Sequence, residues 1–234
     1  MRKKILILGG NSDIGIEVAK NFLNEKIYDL NIHYNSNIKN IKNLKKLKFK
    51  CRFIKSNFSD HNQEKILKKF NNNYDIIINL VGYISNQSFE NFKIKEFFKT
   101  ISVNSLLPLL IIRKSLNNMK NKNYGRIINT SSIGVKFGGS ETTYLYSLSK
   151  HINEFIPKYL KKLSNKNILY NCLRIGVVDT KLHKKVKKKD LIKRVNLIPL
   201  KKMATPKEIS NFIFYLIKNN NFINNEVINI SGGE

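Results

Sequence analysis

Residues 75–81, D-I-I-I-N-L-V, restrict the fold more than any other segment. A strand with one wet face alternates apolar and polar side chains, whereas a nearly unbroken apolar run must be covered on both faces. Further strand-like runs recur at 4–8, 28–34, 49–54, 126–130, 168–175 and 226–230. Between them lie segments with helical spacing of apolar residues, at 14–25, 38–47, 63–70, 92–119, 146–163 and 206–217. The first of these sets Ile14, Val18, Ala19, Phe22 and Leu23 along one side. Strands alternating with such helices predict an α/β fold, a doubly wound parallel sheet of Rossmann-like form with helices on both faces. A chain of 234 residues, 41% of them hydrophobic, can enclose a full core, and no repeat or linker divides it. One domain over residues 1–234 is therefore expected.

Charge narrows the partners less than its size suggests. The formal net charge is +27, yet only six of the 43 basic residues are Arg, and the lysines are scattered among many asparagines. This is a bias of the whole sequence rather than a built patch, and aromatics do not interleave with the basic runs as a stacking platform requires. No specific nucleic-acid partner is expected, although so much positive charge favours anionic ligands at low salt. Cys51 and Cys172 lie far apart in apolar runs and read as free thiols in a reducing compartment. The four histidines, at 33, 61, 151 and 183, are too dispersed for a metal site. The apolar stretch near the start is five or six residues long, and the run from 106 to 112 is broken by Pro108. Neither reads as a signal peptide or a membrane span, so a cytoplasmic, soluble protein is the expectation.

Two local patterns carry chemistry. In Y146-S-L-S-K150, four residues place a phenol and an ammonium one helical turn apart. A neighbouring ammonium favours phenolate and lowers the cost of moving a tyrosine proton near neutral pH. In L8-G-G-N-S-D-I-G15, glycines fall between the first strand and the first helix. There they permit a tight turn and close approach of backbone to a pyrophosphate at the helix N-terminus. Ser12 or Asp13 would serve equally as a helix cap.

In their order along the chain these patterns resemble the short-chain dehydrogenase/reductase family, most nearly its 3-oxoacyl-(acyl-carrier-protein) reductases. The family's Thr-Gly-x-x-x-Gly-x-Gly falls on Leu8, Gly9, Asp13 and Gly15, its Asn-Asn-Ala-Gly on N79-L-V-G82, and its Tyr-x-x-x-Lys on Tyr146 and Lys150. Its active-site Asn falls on Asn104 and its Ser on Ser132; its later Pro-Gly motif falls on I175-G-V-V-D-T180, without the Pro. The likeness spans essentially the whole chain.

The resemblance implies carbonyl reduction by hydride transfer. It makes Tyr146 the proton donor, Ser132 a hydrogen-bond partner of the substrate oxygen and Lys150 the supporting cation. Asn104 would hold a helix distortion and a proton-relaying water. It assigns cofactor contacts to Gly9, Asn11, Ser12, Asp13, Ile14 and Gly15, and to His33, Tyr34 and Asn35. Further contacts fall on Asn57 and Phe58, on Asn79, Val81 and Gly82, on Tyr146 and Lys150, and on Gly176, Val178 and Thr180. The segment I32-H-Y-N-S-N37 carries no carboxylate that would bind a ribose diol, so NADP(H) is favoured over NAD(H). Asp13, where the family has glycine, is expected to weaken pyrophosphate binding unless its side chain turns away. Residues 181–200 would cover a small-molecule or acyl-carrier-protein-linked substrate, a 3-oxoacyl thioester first of all. A sugar or other small alcohol or ketone in surface-polysaccharide or secondary metabolism is the alternative, and a non-catalytic dinucleotide-binding scaffold or sensor is a third reading. The resemblance further implies a homo-tetramer or homo-dimer.

Overall fold

A computed structural model describes the chain except residues 1, 24, 37, 47–50, 183–185 and 187–190. Seven strands form one sheet, β1 (Lys3–Leu8), β2 (Tyr28–Tyr34), β3 (Cys51–Lys55), β4 (Ile76–Asn79), β5 (Gly125–Ser132), β6 (Ile168–Ile175) and β7 (Val227–Ile230). All pair in parallel, in the order β3-β2-β1-β4-β5-β6-β7. The apolar run that anchors the sequence reading lies at the middle of the sheet, where Ile76, Ile77 and Ile78 are fully buried. Burying each of them stabilises the fold by about 1.5–3 kcal/mol. The pleat divides the core in two: Ile5, Ile7, Ile76 and Ile78 face one layer, and Leu6, Leu8 and Ile77 face the other.

The first layer is closed by α1 (Asp13–Leu23) and α9 (Pro206–Lys218), through Val18, Phe22, Ile209 and Ile213. The second is closed by α3 (Gln63–Lys68), α5 (Leu107–Asn121) and α7 (Lys158–Lys162), through Ile66, Ile111, Met119 and Leu160. The remaining helices are α2 (Ile38–Lys46), α4 (Ile94–Ile101), α6 (Tyr144–Ile152) and α8 (Leu191–Asn196). From β1 the chain winds outward to β3 and then returns to lay β4 on the other side of β1. Such a reversal opens a crevice at the carboxyl ends of β1 and β4.

Two expected helices are interrupted. The stretch 92–119 contains α4, a π turn at Ser102–Leu106, and then α5. The stretch 146–163 is α6, a turn, and then α7. Pro157 stands at the start of α7 with φ −59° and ψ 140°. It lacks an N–H and pushes the residue before it out of helical geometry, so one continuous helix cannot form. The expected strand at 49–54 starts at Cys51 among the described residues, and the end of the 38–47 helix at residue 47 lies outside them. Of the segment 181–200 expected to cover the substrate, residues 183–185 and 187–190 likewise lie outside them, and Leu191–Asn196 form α8.

Candidate active site

Every motif that follows a strand converges on one cavity of about 1190 Å³ at the carboxyl edge of the sheet. Its floor begins at the turn after β1. Gly9 has φ +71°, and a Cβ there would sit 2.9 Å from the Leu80 carbonyl oxygen. A Cβ on Gly15 would come within 2.7 Å of Gly9 O and Gly10 Cα. Glycine is required at both, and the turn lies bare against the start of α1. The Ser12 hydroxyl accepts from Gly15 N–H at 3.1 Å and so caps that helix. Asp13 does not cap it: its carboxylate accepts from Lys181 N–H at 2.8 Å.

Next to this turn, His33 is buried and stacks on Phe58, with ring centroids 4.2 Å apart. Gly9 N–H donates to its Nδ1 at 3.2 Å, which leaves Nε2 protonated to donate to Ser56 O at 3.0 Å. Burial lowers its pKa to about 4, so the ring is neutral at pH 7. His33 therefore props the glycine turn and brings no charge to the end of β2. There the cavity is lined by Asn35 and Ser36, with Asn57 and Phe58 beyond.

At the other end stand three side chains from β5 and α6. Ser132 and Tyr146 line the cavity, and the Ser132 oxygen accepts from Gly134 N–H at 3.2 Å. The Lys150 Nζ donates to Val81 O at 2.8 Å, to Thr130 O at 3.1 Å and to Thr130 Oγ1 at 3.3 Å. Burial lowers the Lys150 pKa to about 8. Burial raises that of Tyr146 to about 12, opposed by the nearby Ser132 side chain. The spacing alone had the ammonium drawing the phenol down. Instead the cation is aimed at two carbonyls, 5.8 Å from the centre of the Tyr146 ring, and enclosure dominates.

Asn104 lies behind this group and is fully buried inside the π turn. Its side chain accepts from Tyr83 N–H at 2.7 Å and donates to Tyr83 O at 3.0 Å and Ser149 Oγ at 2.8 Å. It thus ties the loop after β4 to the helix that carries Tyr146 and Lys150. Asn79 also stays behind the wall, donating to Asn129 Oδ1 at 2.7 Å while accepting from Val81 N–H at 3.1 Å. Of the residues singled out in the sequence, Gly15, Tyr34, Asn79 and Asn104 do not line the cavity; the others do.

Thr130 is the residue the sequence reading missed. It stands two positions before Ser132 on β5, and a period of two puts both on one face; that signal was available. Arg194 and Glu234, ion-paired at 2.5 Å on the far side of the cavity, carry no comparable signal.

The cavity thus joins a bare glycine turn at a helix N-terminus to a Ser-Tyr-Lys group, a form suited to a dinucleotide laid along the sheet edge. A family model described as short chain dehydrogenase matches residues 3–191. The chain belongs to the short-chain dehydrogenase family. That is a family of oxidoreductases, and the match takes in the glycine turn, Ser132, Tyr146 and Lys150 together. Among curated relatives, the 3-oxoacyl-[acyl-carrier-protein] reductase of Rickettsia prowazekii is 28% identical over 240 residues, 99% of this chain and 96% of that one. The same enzyme of Buchnera aphidicola is 28% identical over 160 residues, 68% of this chain and 65% of its own length. A solved structure of ElxO with NADP bound superposes with a TM-score of 0.81 at 27% identity, covering 100% of this chain and 98% of that one. No helix among the described residues of this short-chain dehydrogenase is long and apolar enough to cross a membrane.

Proposed function

We propose that this chain is an NADPH-dependent carbonyl reductase whose substrate is a 3-oxoacyl thioester, presented on an acyl-carrier protein and reduced to the 3-hydroxyacyl form. The observation that carries the reading is the single cavity in which Tyr146, Ser132 and Lys150 face a turn that only glycine can form. The likeness to 3-oxoacyl reductases along 99% of the chain supports the substrate class.

A bound nicotinamide dinucleotide supplies the hydride. Its pyrophosphate would rest on the turn at Gly9, Asn11 and Ser12, and its nicotinamide against Val178 and Thr180. The end of β2 offers Asn35 and Ser36 and no carboxylate, so a 2′-phosphate meets donors rather than repulsion. Tyr146 stays protonated at neutral pH and gives its proton to the oxygen as the alkoxide develops. Ser132 donates to the same oxygen and strengthens its bond as charge grows there. Lys150, held by Val81 and Thr130, keeps a positive charge beside the phenolate that Tyr146 becomes. Asn104 acts through Tyr83 and Ser149 and is a positioning residue.

Lys181, Leu182, Lys193 and Arg194, among the described residues that join β6 to α9, line the cavity at the substrate end, and their basic groups suit an acidic carrier. The exposed apolar side chains Leu109, Leu148, Ile152 and Phe155 suit self-association into a dimer or tetramer in the cytoplasm.

The test follows absorbance at 340 nm with NADPH and with NADH, first on a short 3-oxoacyl thioester and then on the same acyl group carried by acyl-carrier protein. The expected outcome is turnover with NADPH at least tenfold above that with NADH, raised further by the carrier. Tight dinucleotide binding with no thioester turnover would transfer the chemistry to a sugar or another small carbonyl compound.

A further inference from the structure

We infer that Asp13 is a positioning residue that fixes Thr180 in the wall of the cofactor cavity from the opposite side of the cleft. This rests on the reading of the cavity as a dinucleotide site. Three observations carry it. The Asp13 carboxylate accepts from the backbone N–H of Lys181 at 2.8 Å, joining the first residue of α1 to a loop 168 positions away. The Lys181 ammonium stands 3.8 Å from the other carboxylate oxygen. On the other flank of Thr180, Asp179 N–H donates to Ala204 O at 2.9 Å. Thr180 is therefore clamped between two anchored peptide groups while its own side of the loop lines the cavity.

The two contacts differ in weight. The Lys181 side chain is 64% exposed, so its ion pair is screened and adds little. The backbone bond is charge-assisted, with an ionised acceptor, and is the stronger of the two. A carboxylate beside a pyrophosphate would repel it. Turned to Lys181, it instead takes that residue's peptide hydrogen, and the Ser12 hydroxyl is left to cap α1. The direction of the expected effect is thereby reversed. Replacing Asp13 by the family's glycine would free the loop rather than relieve the turn. Because Thr180 would lie against the nicotinamide, its displacement would fall on kcat, since small misplacements at a reacting centre are costly.

The experiment compares Asp13→Gly, Asp13→Asn, Thr180→Val and the double variant Asp13→Gly/Thr180→Val, with amide hydrogen exchange at Lys181 in the ligand-free protein. Asp13→Gly is expected to lose about tenfold in kcat with KM for NADPH changed by less than about threefold, and to exchange the Lys181 amide at least tenfold faster. Asp13→Asn retains an acceptor oxygen and should lose less on both measures. In the Thr180→Val background, Asp13→Gly should cost almost nothing further, the signature of one residue acting through another. Full additivity in the double variant would overturn the assignment, as would wild-type kcat and wild-type exchange in Asp13→Gly. A wild-type protein that binds neither NADPH nor NADH would overturn the dinucleotide reading, and the role of Asp13 with it, whatever the exchange at Lys181.

Discussion

Ser132, Tyr146 and Lys150 stand on β5 and α6, whereas Thr180, Lys181 and Arg194 stand on the segment that joins β6 to α9. The two walls face one cavity and are held in different ways. β5 is paired along its whole length with β6, from Gly125 opposite Ile168 to Ser132 opposite Ile175. α6 is bound to its surroundings by buried groups, with Asn104 on Ser149 and Lys150 on Val81 and Thr130. Among the described residues, the opposite wall is held by contacts between residues distant in sequence, including the Val178–Ala204 bridge, Asp13 with Lys181, Leu200 N–H with Gly232 O, and Arg194 with Glu234. The difference matches the role proposed for each wall. Proton transfer needs fixed atoms, and a substrate needs a way in.

The largest effect should come from the rigid wall. Tyr146→Phe removes the hydroxyl and leaves the ring, so the fold and the cofactor cavity persist. Turnover should fall about 10³-fold, within the range for a general acid, while NADPH affinity measured by fluorescence stays within about twofold. Turnover near the wild-type level would remove Tyr146 from the chemistry and with it the contrast between the two walls.

A second effect concerns pH. The Lys150 pKa is lowered by burial to about 8 and that of Tyr146 raised to about 12. From pH 6 to 10 the phenol therefore keeps its proton while the ammonium loses one. The proposed reduction needs both, so kcat/KM for NADPH, which reports the free enzyme, should be level below pH 8 and fall about tenfold per unit above it. Lys150→Met should be slow and should lack that inflection. The same shift acts on stability in the opposite sense. Between about 8 and 10.5 the unfolded chain binds the proton that the folded Lys150 has given up, so the Lys150 contribution to stability rises with pH across that window. A rate profile flat to pH 10 would show that the cation is not needed in the rigid wall.

The same contrast separates what could be read in the sequence from what could not. The sheet was legible because Ile76, Ile77 and Ile78 must be covered on both faces, and the candidate site because Ser132, Tyr146 and Lys150 keep fixed intervals on one strand and one helix. What escaped depends on partners remote in sequence or on the balance of burial and charge. Nothing in N-S-D-I-G announces that Asp13 will meet Lys181. The neutrality of His33 follows from its burial, to which Phe58, remote in the chain, contributes by stacking on the ring. The π turn around Asn104 depends on Tyr83 and Ser149 claiming its side chain. The break after α6 was the exception, since Pro157 was in plain view, but the apolar period on either side of it obscured its effect.

The smallest effect tests the hinge of the looser wall. Thr205 caps α9, its hydroxyl accepting from Glu208 N–H at 3.1 Å while Glu208 Oε2 accepts from Thr205 N–H at 2.7 Å. It follows Ala204, whose N–H donates to Val177 O and whose carbonyl accepts from Asp179 N–H, both at 2.9 Å. Loss of a cap of ordinary strength in Thr205→Ala should lower Tm by about 2–4 °C. The bridge at Ala204 is made by backbone groups and should survive, so kcat should change by less than about twofold. A kcat loss as deep as that expected for Asp13→Gly would mean that the cap and the bridge move as one unit, and that the looser wall owes its position to the end of α9 as much as to the carboxylate across the cleft.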